Sequence, residues 1–208
     1  MATQAATANR PQQGLTADEK LQKMKELYAD APEIGKAALK NGLPILTKEL
    51  AAAGRAQTAG RIGARQGKVS ELTVFLPFVK GGAKRLRGLL QLLEGNFLAG
   101  DAVGTVHDMR FVFVDNDTKL LFATAYDGDF DPYIDDFATK IPNAMDLWLS
   151  NFEGYPGMRS GQAAKDWIAK HQIAAEAWYV NSPNLTAAET RRLEKVGKAV
   201  EELLDKIG

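Results

Sequence analysis

The sequence predicts an α+β fold built on one antiparallel sheet, preceded by a helical stretch and closed by a C-terminal helix. Two observations carry this. Residues 105–114 and 119–126 are apolar, β-branched and aromatic runs separated by Asp115-Asn116-Asp117, the pattern of a hairpin. Elsewhere, apolar residues recur at spacings of three and four behind Thr16-Ala-Asp-Glu19 and Thr186-Ala-Ala-Glu189, two capping boxes that mark helix starts. At 208 residues, 45% hydrophobic and 25% charged, the chain suits one compact core plus decoration.

Taken in order, residues 1–14 are rich in Ala, Thr and Gln and read as a disordered tail. Leu21, Met24, Leu27 and Tyr28 predict a helix over 17–30. Pro32 can open a second helix through Lys40, which Asn41-Gly42 should stop. Residues 44–66 read as partly helical, so 15–67 form a helical extension. At Val69 the pattern changes, and Val69–Pro77 reads as a strand. Gly81-Gly82 then opens a helix with Leu86, Leu89, Leu90 and Leu93 on one side. In the strand 105–114, alternation puts His107, Met109, Phe111 and Phe113 on one face and Val106, Asp108, Arg110 and Val112 on the other. Asp131-Pro132 predicts an N-cap and first helical residue, followed by helical pieces at 143–152 and 160–171. Ala174–Asn181 reads as a fourth strand, and Leu193, Val196, Val200, Leu203 and Ile207 mark the final helix. From residue 68 the order β-α-β-β-α-β is that of the ferredoxin-like split βαβ unit. Its sheet is apolar on both sides, so a second copy or another domain should cover the far face.

Composition excludes several functions. Lys plus Arg and Asp plus Glu each number 26, so the chain lacks the positive excess of a general nucleic-acid coat. With no cysteine there is no disulfide, thiolate metal site or Cys nucleophile. No apolar run approaches the roughly 20 residues of a membrane span, and the first ten residues lack the pattern of a secretory signal. A cytoplasmic protein without membrane insertion is expected.

Leu72–Pro77 with Lys80-Gly-Gly82, Gly104–Phe113, Leu121-Phe122 with Tyr126-Asp-Gly128, Tyr133–Phe137, Glu153–Pro156 and Ala177-Trp-Tyr179 before Pro183–Thr186 resemble the dimeric α/β-barrel superfamily of ferredoxin-like proteins. The resemblance covers about two-thirds of the chain and leaves residues 1–66 unmatched. It is distantly similar to the dye-decolourising haem peroxidases, whose G-x-x-D-G motif is matched by Thr124-Ala-Tyr-Asp127-Gly128 without its first glycine. The resemblance implies a homodimer or larger oligomer and a small-molecule ligand. It further implies a haem-dependent, peroxidase-like oxidoreductase with His107, Arg110 and Asp127 as catalytic candidates. The alternative is a non-catalytic assembly or ligand-carrier protein.

Each candidate has a functional and a structural reading. His107 is either a haem ligand or general base in a cavity, or a half-buried histidine held by a carboxylate of the acidic turns. His171 is either the proximal haem ligand or a helix C-cap. Arg110 either clamps a propionate or substrate carboxylate, or joins a cross-strand salt bridge. Asp127-Gly-Asp129-Phe-Asp131 lacks the glycine and glutamate of a calcium loop, so a strand-to-helix turn capped by Asp131 and braced by Asp127 is expected, and no metal site. Lys80-Gly-Gly-Ala-Lys84-Arg85 sits where a helix start could take an anion, or is a solvated basic face. The six residues Trp148, Trp167, Trp178, Tyr133, Tyr155 and Tyr179 either line a ligand cavity or form core. Charge is uneven: residues 55–87 hold eight Lys/Arg against one acid, and 115–153 hold nine acids against two lysines. Pairing between the two stretches, within one chain or between chains, is expected.

Overall fold

The computed structural model describes residues 15–52, 57–94 and 98–207. The 1–14 tail lies outside them. The chain divides into two compact units, Met1–Arg55 and Ala56–Gly208.

The first unit holds α1 (Ala17–Leu27) and α2 (Glu33–Ala52), which pack on each other. Thr16 and Glu19 form the expected reciprocal capping box. The second helix does not stop at Asn41-Gly42 but continues through Pro44. Local stop signals are a weak prior; Leu39, Ile45 and Leu46 of α2 line an open apolar groove with Met24 and Leu27 of α1 and its C-cap residue Tyr28.

The second unit is an α+β domain whose five-stranded antiparallel sheet runs in the order β1-β2-β3-β5-β4. Its strands are β1 (Gln57–Thr58), β2 (Ala64–Gln66), β3 (Val69–Pro77), β4 (Val106–Val114) and β5 (Lys119–Asp127). Its helices are α3 (Gly82–Leu93), α4 (Leu98–Val103), α5 (Phe130–Lys140), α6 (Pro142–Leu149), α7 (Gln162–Lys170) and α8 (Ala187–Ile207). The expected hairpin is present, turning through Asp115, Asn116 and Asp117, all with positive φ, a conformation that Asn and Asp tolerate best. Among the described residues no helix is long and apolar enough to cross a membrane.

The core lies on one side of the sheet. Leu72, Val74 and Leu76 of β3 and Leu120 and Tyr126 of β5 meet Leu86 of α3, Tyr133, Ile134 and Phe137 of α5, Trp148 of α6 and Trp167 of α7. Gly82 has a packing role at the start of α3. A Cβ there would stand 2.3 Å from the Asn151 carbonyl oxygen, so this glycine admits close backbone approach and makes no anion cradle.

The fourth strand expected at Ala174–Asn181 does not form. The chain touches β3 through one antiparallel bridge, Gln172 to Val74, flanked by hydrogen bonds from Phe75 N–H to the His171 carbonyl and from Ile173 N–H to the Thr73 carbonyl. Continuing that register would bring residues 176 and 177 to Ser70 and Val69, where Arg65 and Gln66 of β2 are already paired. The short β2 holds the edge, so the later segment peels away. Residues 57–66, expected to be partly helical, supply this edge instead.

Candidate functional site

The expected face of His107 is overturned by one inserted residue. Val106 pairs with Tyr126 and Asp108 with the adjacent Ala125, so His107 is the extra residue of a β-bulge. A bulge shifts the side-chain phase of a strand. Val106 joins Met109, Phe111 and Phe113 against the core, while His107 leaves it for the far side, the side of Asp108 and Arg110.

There the imidazole Nε2 lies 2.8 Å from Asp127 Oδ1, the two side chains being 21% and 12% exposed. The other oxygen of Asp127 accepts the Ala187 backbone N–H at 3.0 Å, and Ala187 is the first residue of α8. Glu189 completes the attachment. It accepts from the Thr186 backbone N–H and hydroxyl, and Lys68 sits 2.8 Å away. The Lys68 ammonium first, then the Thr186 donors, hold the Glu189 carboxyl down at about 2, from an ordinary 4.5. Arg191 donates to the Gly104 carbonyl. The cluster is a clasp that fixes the first turn of α8 to the ends of β4 and β5.

The clasp has a pH signature. A carboxyl whose folded pKa is depressed contributes stability above its unfolded value and loses it as pH falls toward the folded one. The Glu189 contribution is therefore complete above about pH 4.5 and lost on approach to pH 2. Amide exchange at residues 187–194 should accelerate across that window relative to β3, and Glu189→Gln should flatten the difference. A pH-independent ratio in the wild type would contradict the assignment.

Arg110 stays outside the clasp. It pairs across the sheet with Ala123, four residues along β5 from Asp127. Its guanidinium is 63% exposed and 3.6 Å from Asp108, an arrangement worth little at a solvated surface. His171 is the C-cap residue of α7, with Nδ1 2.8 Å from the Trp167 carbonyl and its ring 4.8 Å from the Trp167 ring. Its backbone lies beside β3, so β3 and β5 separate it from His107 on β4. The two histidines are not brought together.

The enclosed cavity of the second unit is too small for a haem. Sheet and helices enclose a cavity of about 50 Å³, lined among others by Met109, Phe111, Tyr133, Trp148 and Trp167 and by no histidine. That is about a third of the ~150 Å³ apolar cavity that admits benzene, far below a macrocycle. The lining aromatics, Trp148, Trp167 and Tyr133, are buried core, and Tyr179 is exposed.

The acidic turn is also structural. Asp129, and not Asp131, occupies the N-cap position of α5. Asp129 pairs with Arg65 at 2.6 Å, and Asp131 with Arg61 at 3.3 Å. Arg87 grips Asp117 through both of its terminal nitrogens. The basic and acidic stretches thus meet within one chain. Among the described residues, no three His, Asp or Glu side chains come together in a way that could hold a metal ion.

No protein-family model, curated protein or solved structure matches this chain. Sequence reasoning missed Lys68 as the partner of Glu189 and the Ala187 amide as a partner of Asp127. The adjacent polar residues His107-Asp108, breaking an otherwise alternating strand, were the available sign of the bulge.

Proposed function

We propose that this protein is a non-catalytic assembly protein whose exposed apolar surfaces are contact surfaces for further copies. One observation carries the reading: His107, Asp127 and His171 are engaged in hydrogen bonds within the fold, while large apolar residues stand in solvent. Val112 is 46% exposed on the far side of the sheet, in the same row as Leu121 and Phe75. Along α8 the exposure continues through Leu193, Val196, Val200 and Leu203. Exposed apolar residues grouped in this way mark interaction sites.

The order β3-β5-β4 supports a ferredoxin-like reading of the sheet. β3 and β4 both run antiparallel to β5, hence parallel to each other with one strand between, which supports reading them as a split βαβ unit. The fourth position is shared here by β2 and the bridge at Gln172. In this reading the exposed part of the far side, around Val112, calls for a second copy, as in dimeric α/β barrels.

The haem-dependent oxidoreductase reading keeps one supporting observation, the His107–Asp127 pair, which has the geometry of an oriented general base. Haemin titration of the purified protein separates the two. The assembly reading expects the spectrum of free haemin at every ratio and a solution mass that is a multiple of 22.6 kDa. A sharp Soret band lost in His107→Ala or His171→Ala, with a monomeric mass, would overturn it.

A further inference from the structure

The cavity between the sheet and its helices is apolar over its whole inner surface. Polar groups on two of its walls are engaged elsewhere. The Tyr133 hydroxyl sits 3.2 Å from the Thr124 hydroxyl, and the Trp167 indole N–H donates to the Glu153 carbonyl. A buried water needs several polar partners, and none faces this space. At about 50 Å³ the cavity exceeds the ~30 Å³ share of one water in the liquid and falls short of the ~150 Å³ that takes benzene. It suits a single apolar molecule of one or two heavy atoms. A void in a close-packed core forfeits contacts its walls would otherwise make, and such a guest restores them without any hydrogen bond.

The walls are unequal. Leu72, Val74 and Leu76 of β3 are buried, whereas Met109 of β4 and Met145 of α6 are only half-buried. On this side β4 meets α6, where the Phe111 and Trp148 rings stand edge to face with centroids 5.5 Å apart. Of the described lining residues, the two methionines alone are unbranched, and such side chains turn without moving the backbone. We propose that this cavity is a binding site for one molecule of a small apolar gas of the dioxygen class, admitted past Met109 and Met145. Dispersion alone holds the guest, and no redox step is involved. The site stands apart from the assembly reading, since it is internal to one chain.

Xenon, a monatomic apolar probe, tests the site in the full chain. Methyl resonances of Leu72, Val74 and Ile134 should shift with xenon pressure and saturate, while those of the exposed Val112 and Ile173 drift without saturation. Under dissolved dioxygen, which is paramagnetic, the same inner methyls should relax faster than the exposed ones. Val74→Ile adds a methyl group to the cavity wall and should abolish the saturating shift. Should that variant not fold, Ile134→Val enlarges the space and should strengthen the shift. The double variant Met109→Ile/Met145→Ile, with branched side chains at the entrance, should slow xenon exchange. Inner methyls that drift like the exposed ones would overturn the site. A saturating xenon shift without enhanced relaxation by dioxygen would overturn the class of gas. Unchanged exchange in the methionine variant would overturn the entrance.

Discussion

Phe130→Ala should lower the unfolding free energy of the second unit by about 3–5 kcal/mol, the range for emptying a buried phenylalanine site. Phe130 opens α5 and is fully buried. It stands where three parts of the unit converge. Its backbone N–H donates to the Ala59 carbonyl at 2.9 Å, just beyond β1. The Arg61 guanidinium lies 5.4 Å from its ring centroid, and Arg61 continues to Asp131 and Asp166. Truncation removes the ring's core contacts and the surface that orients Arg61. Urea unfolding should show a lower midpoint with an unchanged slope. A loss below about 1 kcal/mol would mean that residues 57–66 are not part of this core.

Asp127→Ala should cost about 2–4 kcal/mol, because one carboxylate serves two buried or half-buried donors. Removing it strands the His107 imidazole and the Ala187 amide at once. His107→Ala should cost less, about 1–3 kcal/mol, since the Asp127–Ala187 bond survives. Asp127→Asn should fall between, keeping a neutral acceptor for the helix while losing the charge. This ranking distinguishes a clasp from a catalytic pair. A catalytic pair would show large functional losses with small stability changes, and the order of the three variants in stability would then be arbitrary. Equal stability in all three would contradict the structural role.

Much of the second unit was legible in the sequence because its signals are local. β3 begins and ends where its β-branched run does, and the hairpin of β4 and β5 follows from two alternating segments around an Asp-Asn-Asp turn. Both capping boxes form. The features that escaped depend on distant pairing. Residues 174–181 have the composition of a strand, yet β2 occupies the edge they would need. His107 lies on the expected strand but on the unexpected side, since a bulge depends on how two strands register and one sequence shows only half of that. Arg110 was rightly placed on a strand, whereas Asp127, expected in the turn that follows, is the last residue of β5; grouping them with His171 required a cavity that the structure fills with aromatic side chains. The functional side of His107 was legible only as a choice between ligand and structural partner. The carboxylate that decides it is 20 residues away and belongs to a different strand.

The account turns on whether a second copy covers α8. Amide hydrogen exchange across residues 193–207, measured in the full chain over a range of protein concentrations, reads this directly. A lone projecting helix of this length is marginal in water and opens readily, whereas a paired one is protected by its interface. The account predicts slow exchange at high concentration that accelerates on dilution, with β3 and β5 unchanged. Fast exchange at every concentration, or protection indifferent to dilution across the range where mass changes, would contradict it.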